Sequence, residues 1–415
     1  RRQRQMCIRD RLIIEVRFVL KRFKKIDKPL LIITIILIAI GLVMIFSASN
    51  VAAFRSSGDS YRYLKRQLMV LAVCAVATIV ILKFKTSSYK ALSWAAVIGI
   101  GLALAGLFVL GTVRNDTLGW YDLGPFLFQP SEFAKVILIV WMASYYDTKK
   151  KENLEQYMFV FFPVIVAVVF FFLIMFQPDL GTALIFSFIA MYMFFASPIS
   201  KKIKKQIGML LFFLVVMIIL IGVTTKFSFL EEHQRERIFM SMSNPCSSEN
   251  FYDQGNQLCN GYIAINNGGL FGLGLGNSIQ KNLYLPEAYT DFIFCIIMEE
   301  LGLVGAGVIL LLYFLLIGRI VKIGKDSKTD RGAMLCYGIA VYFLIHIVVN
   351  LLGIFGWLPM TGIPLPFLSY GGSYTICTLS ALAIVQRVNI ENVNEREKEM
   401  KQNMKKTKKI APNGK

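Results

Sequence analysis

Histidine is nearly missing: His233 and His346 are the two in a chain of 415 residues. That scarcity argues against a metal centre built on imidazoles, and no Ser-His-Asp arrangement suggests itself. Acidic residues are also few, 26 against 45 lysines and arginines. No internal repeat is visible, parallel or inverted, which removes the main sequence support for a transporter with a midplane site between two halves. Glycines crowd at Gly268, Gly269, Gly272, Gly274 and Gly276, yet their spacing is neither that of a dinucleotide fingerprint nor that of a Walker loop, and no strand precedes them. Such backbone can still approach a bulky ligand closely. Of seven cysteines, Cys7 lies in the basic tail and Cys74, Cys295, Cys336 and Cys377 lie in apolar runs, where they read as small hydrophobes. Cys246 and Cys259 share one polar loop, which permits a disulfide in an oxidising compartment; two free thiols are the alternative.

What the chain does have is hydrophobicity. At 56% hydrophobic residues and a mean hydropathy of +0.58, with apolar runs near membrane length, it reads as an all-α polytopic membrane protein. Ten spans are expected at 29–48, 64–82, 91–111, 131–147, 159–176, 180–197, 207–225, 292–318, 332–352 and 373–388. Charge is confined between them. With both termini cytoplasmic, 35 of the 45 basic residues fall on the inner side, as the positive-inside rule requires. The +19 net charge is thus an orientation signal and a source of anionic-lipid contacts, with no nucleic-acid role. The expected organisation is a basic cytoplasmic tail over 1–28, a membrane domain over 29–388 and a disordered Lys- and Glu-rich tail over 389–415. The opening RRQRQMCIRDR carries no functional weight, and the first span lacks a cleavage site and should stay as an anchor.

One long connection, 226–291, lies on the outer side and is too long to be a bare link between helices. It opens on the charged, amphipathic EEHQRERIF and closes on LPEAYTDFIF, with Asp291 at the threshold of an apolar helix. Chemistry is expected here, although a plain helix cap would also explain an acid in that place. Glu132 and Lys135 stand one turn apart at the mouth of another apolar helix, after Pro130. An ammonium there should be paired, and buried ionisable groups in a membrane are functional candidates. Asp179 reads as a cap, and at least one of Glu299 and Glu300 should face the bundle interior and find a partner. Pro359, Pro364 and Pro366 forbid a regular helix after Asn350, so this segment should fold back and line the outward site.

Several of these stretches, QPSEFAK at 129–135, QPDLGTA at 177–183, GGLFGLGLG at 268–276, LPEAYTDFIF at 285–294, EELG at 299–302 and LPMTGIPLPFLSYGGS at 358–373, resemble the SEDS family, whose members include FtsW, RodA and SpoVE. The resemblance covers residues 28 to 390. It implies a ten-span fold and an inverting peptidoglycan glycosyltransferase that polymerises lipid II, a lipid-linked disaccharide, at the outer face of the bacterial cytoplasmic membrane for division or cell shape. It also implies a class B penicillin-binding protein partner, other divisome or elongasome proteins, and contact with membrane lipids. Asp291 takes the catalytic place, with Glu132, Lys135, Lys281, Glu287, Ser369 and Gly371 at the substrate and Pro364, Pro366, Glu300, Cys246 and Cys259 structural. Lys135 and Lys281 are then the cations for the departing diphosphate, and a divalent ion, Mg or Mn, is compatible with that chemistry. The chain departs from the family pattern at Tyr289, where histidine is common, at Gly119, and at Leu352 and Phe355. A lipid II flippase and a non-catalytic scaffold are the competing readings.

Overall fold

Helices run through every one of the expected apolar segments in the computed structural model, which describes residues 25–114, 117–124, 126–148, 157–225, 232–248, 250–251 and 255–410. In chain order these are α1 (Lys28–Ser57), α2 (Arg62–Lys83), α3 (Tyr89–Leu110), α4 (Pro130–Thr148), α5 (Tyr157–Met175), α6 (Leu180–Ala196) and α7 (Lys201–Thr224). Two short helices follow in the long connection, α8 (Glu232–Met242) and α9 (Asn256–Gly268), before α10 (Ile293–Lys325), α11 (Asp330–Ile354) and α12 (Gly372–Ile410). Six of them, α1, α2, α3, α5, α10 and α11, are long and apolar enough to cross a membrane by length and composition. Of the others, α4 carries charge within the span at Glu132 and Lys135, α6 is short, and α12 runs on into polar sequence. The chain is a polytopic helical membrane protein.

The helix starts follow local chemistry. Asp27 caps α1 by accepting from the Leu30 amide, Asp179 caps α6 through the Thr182 amide, and Thr329 caps α11 through the Gly332 amide. The basic residues do more than orient the chain. At the end of the bundle holding the N-terminus of α1, Arg319 grips Asp27, Arg331 bonds Asp147 and the Thr86 carbonyl, and Arg387 pairs with Glu391. The first two pairs join α10 to the start of α1 and α11 to the end of α4, and Arg387 also donates from α12 to the Leu82 carbonyl on α2.

Between the expected third and fourth spans, Thr112–Arg114 (β1), Thr117–Asp122 (β2) and Leu127–Phe128 (β3) pair in an antiparallel sheet of order β1-β2-β3. One expectation is corrected. The residues after 388, read as a disordered tail, continue α12 as helix to Ile410. Extending an existing helix avoids the cost of nucleating one, and Lys25–Glu397, Arg396–Asp326 and Lys328–Glu399 pairs dock the extension. The basic N-terminal segment 1–24 with Cys7, and the residues from 411 on, lie outside the described residues.

The helix α10 is broken. Gly302 has φ 68 and ψ −173 inside it, a left-handed conformation suited to glycine. The glycine-rich stretch packs into this break: the amides of Leu273 and Gly274 donate to the carbonyls of Glu299 and Glu300, and those of Leu303 and Val304 donate to the carbonyls of Gly269 and Leu270. A Cβ on Gly272 would sit 2.2 Å from the Glu300 carbonyl oxygen. The bulky partner these glycines admit is the backbone of α10, and the carbonyls freed by the break find donors.

Candidate active site at the loop end

Asp291 lies on the last turn before α10, half-buried. It is not the helix cap: Phe292 holds that position, and no side chain caps the helix. Its carboxylate accepts instead from the Thr290 hydroxyl at 3.0 Å, and the same hydroxyl lies 2.7 Å from the Glu287 carboxylate. One hydroxyl proton serves two acids. Burial, and then the negative charge of Glu287, push the Asp291 carboxyl up to about 7, against the opposing pull of Thr290 and of the Arg237 guanidinium on α8. Glu287 is exposed, with φ 51, an uncommon conformation for a residue bearing a side chain. It is held there by turn bonds from the amides of Thr290 and Phe292 to its carbonyl.

The backbone of Asp291 is fixed from the opposite side. Asn350 on α11 donates from one amide nitrogen to the Asp291 carbonyl at 2.8 Å and to the Ile363 carbonyl at 2.7 Å. The proline-bearing segment is thereby locked to the turn, and the Tyr370 amide adds a bond to the Tyr289 carbonyl. Tyr289 itself packs against the rings of Tyr63 and Tyr370 and donates to the Tyr63 hydroxyl. No imidazole base stands there.

One turn earlier on α11, about 6 Å at the α-helical rise, His346 meets the Glu132 and Lys135 pair. The Lys135 ammonium is 2.7 Å from Glu132 and 3.0 Å from His346 Nε2, with Lys135 fully buried. His346 Nδ1 faces the Tyr342 carbonyl at 2.7 Å. A carbonyl only accepts, so Nδ1 carries the proton and Nε2 takes one from lysine: the ring is neutral in this arrangement. The second carboxylate oxygen of Glu132 and the hydroxyls of Tyr342 and Tyr374, whose rings flank His346, have no protein partner among the described residues. The pair is thus part of a buried polar cluster and not a closed ion pair.

Other expected site residues sit elsewhere. Lys281, expected at the substrate, is buried and paired: its ammonium bonds Glu300 at 2.9 Å, Ser47 at 3.0 Å and the Gly276 carbonyl at 2.6 Å. Glu300 is its structural partner, while Glu299 is held by donors alone, from Asn267, Ser278 and the Gln280 amide. Ser369 is buried with its hydroxyl accepting from the Leu365 amide, so it closes a turn of its own segment. Gly371 is half-buried and bonds Gln67 on α2. Buried Pro366 accepts from Tyr313, and Pro364 lies nearby in the chain, half-buried. Cys246 and Cys259 are bonded, tying α9 to the stretch before it. Sequence reasoning missed the parts played by Arg237, His346 and Asn350. The Arg237 signal was present in the charged EEHQRERIF piece; the other two are single polar residues in an apolar run whose partners come from distant parts of the chain.

Together these features define a class: a polytopic helical membrane protein whose loop end holds a carboxylate of raised pKa near a buried charged cluster. The family model for the cell cycle proteins FtsW, RodA and SpoVE matches residues 28–394, and the chain belongs to that family. It is 34% identical over 380 residues to the probable peptidoglycan glycosyltransferase FtsW of Wigglesworthia glossinidia brevipalpis, covering 91% of this chain and 97% of that one. It is 34% identical over 404 residues to the probable peptidoglycan glycosyltransferase FtsW of Bacillus subtilis (strain 168), covering 95% and 96%. A chain from a peptidoglycan synthase complex, solved for the structural coordination of polymerization and crosslinking, superposes with a TM-score of 0.70 at 24% identity over 88% of this chain and 98% of that one.

Proposed function

We propose that this protein is a peptidoglycan glycosyltransferase that polymerises lipid II, with Asp291 as general base. The acceptor sugar hydroxyl attacks the anomeric carbon of a lipid-linked donor; a new C–O bond forms, the bond to the lipid diphosphate breaks, and the acceptor proton passes to Asp291. A base works best when its pKa lies near the working pH, and the carboxyl held at about 7 is the observation that carries this reading. Arg237 on α8, close enough to pull the Asp291 carboxyl down, is a cation for the departing diphosphate, since Lys135 and Lys281 are both buried and paired. Glu132, Lys135 and His346 act as positioning residues through α11 and Asn350. The residues present do not form a protein-only divalent site: among the described residues no three His, Cys, Asp or Glu side chains stand together.

The loop end faces outward in this reading, because the basic residues gather at the opposite end. A class B penicillin-binding protein that crosslinks the product is the fitting partner. The test is purified protein with lipid II and no other polymerase. Glycan strands from the wild type and none from Asp291→Asn support the proposal; strands from both overturn the catalytic role. Translocation of lipid II without polymer would support the flippase reading.

A further inference from the structure

At the end of the bundle opposite Asp291, the N-terminus of α1, the last turns of α10 and the extension of α12 line an open cavity of about 650 Å³. Its acids are all taken: Asp27 by Arg319 at 2.6 Å, Glu397 by Lys25 at 2.6 Å and Asp326 by Arg396 at 3.0 Å. Two lining cations remain, Lys28 on α1 and Lys322 on α10, both exposed and without a side-chain partner among the described residues. The cavity therefore presents uncompensated positive charge.

Each of these lysines also ends an apolar stripe. Along α1, Lys28 is followed at spacings of four, three, four and four by Ile32, Ile35, Ala39 and Val43, all exposed. Back along α10 from Lys322, spacings of four, three, four, three and four give Gly318, Leu315, Leu311, Val308 and Val304, again all exposed. Such spacings keep residues on one face of a helix. A Cβ on Gly318 would meet nothing within 4 Å, so the stripe on α10 is indented one turn above its lysine.

From this juxtaposition we infer that the cavity is a binding site for the headgroup of an anionic phospholipid, whose acyl chains lie along the α1 and α10 stripes. A phosphodiester supplies the charge that Lys28 and Lys322 lack, and the stripes lead apolar chains directly away from it into the bilayer. A soluble phosphate compound would satisfy the lysines but leave the stripes without a role. Basic pockets between membrane helices near the headgroup level suit this kind of ligand.

The test uses the full chain, purified in detergent and titrated with dioleoyl phosphatidylglycerol, dioleoyl phosphatidylcholine or glycerol 3-phosphate, with bound lipid read by native mass spectrometry. Phosphatidylglycerol should bind at least about tenfold more tightly than phosphatidylcholine, and glycerol 3-phosphate should not bind in the same range. Each basic side chain near an anionic lipid contributes roughly fivefold, so Lys28→Gln with Lys322→Gln should weaken phosphatidylglycerol binding about 30-fold and leave phosphatidylcholine unchanged. Both lysines are exposed, and an unaltered melting temperature would confirm that the variant folds. Lys201→Gln with Lys202→Gln, at the start of α7 and away from the cavity, should keep the wild-type preference. Equal binding of the two lipids, an unchanged preference in the cavity variant, an equal loss in the α7 variant, or glycerol 3-phosphate binding as tightly as the lipid would each overturn the inference.

Discussion

Replacing Asp291 with asparagine should make the protein both inactive and more stable. The carboxyl titrates near 7 in the folded protein against an ordinary value of 3.8, because burial and Glu287 disfavour its charge. A difference of about three units corresponds to at most about 4 kcal/mol; the side chain keeps some contact with water, so roughly 2 to 4 kcal/mol is expected. The sign follows from proton binding. Between 3.8 and about 7 the folded state holds a proton that the unfolded state has lost, so this group's contribution to stability is complete below the lower value and is lost as pH rises through the upper. Asparagine accepts from Thr290 as the carboxylate does and carries no charge. Thermal unfolding in detergent should show the variant melting several degrees above wild type at about pH 8, with the gap closing toward about pH 4. Glycan synthesis by the same preparation should fall by roughly 100- to 10,000-fold, the usual contribution of a general base. A variant that melts lower than wild type at high pH would refute the burial argument, and one that polymerises within a few-fold of wild type would refute the base.

Glu287→Gln should remove the charge that raises Asp291 and move the acid limb of the pH–rate profile to lower pH; an unmoved midpoint would mean that the two acids do not interact. Lys281→Met should destabilise by about 3 to 5 kcal/mol because it strands the buried Glu300, and Lys281→Met with Glu300→Leu should recover much of that loss; a change in lipid II affinity with normal stability would instead return Lys281 to the substrate. Glu132→Gln and Lys135→Met should be less than additive in polymerase activity, since either one breaks the same pair, and strict additivity would show that they act separately. Reducing Cys246–Cys259, which closes a loop with a sequence separation of 13, should cost about 3 kcal/mol, read as a lower melting temperature with reductant; two thiols alkylated without reductant would show that no bridge forms.

Much of this architecture was legible because a bilayer leaves few choices. The apolar runs had to be helices, and Pro359, Pro364 and Pro366 had to interrupt one. Glu132 and Lys135 could be paired from sequence since i and i+3 share a helix face. Asp291 could be singled out, but its two readings could not be separated, because a cap and a buried base look alike until the first helical residue is fixed. The pairing of Lys281 was hidden by the same limit: a lysine beside a motif reads as a ligand for phosphate, whereas its partner Glu300 is 19 residues away and reaches it only when the glycine stretch folds into the α10 break. His346 and Asn350 were silent for a similar reason, as each draws its meaning from carbonyls or charges that other segments bring to it. The helical extension of α12 was obscured by composition, which describes an isolated segment and not one already attached to a formed helix.

The break at Gly302 divides α10 into parts with different surroundings. Residues 292–300 are all buried, whereas exposed side chains begin at Leu303 and Val304. The first part of the helix is therefore clamped by protein, and lipid reaches α10 only beyond Gly302. A bilayer thinner or thicker than the hydrophobic span acts on a helix by tilting it, and here that torque falls on 303–325, with a glycine as the joint. The carboxylate of Asp291 is thus expected to keep its place and its neighbours as membrane thickness varies, its position referenced to Asn350 and the loop and not to the lipid.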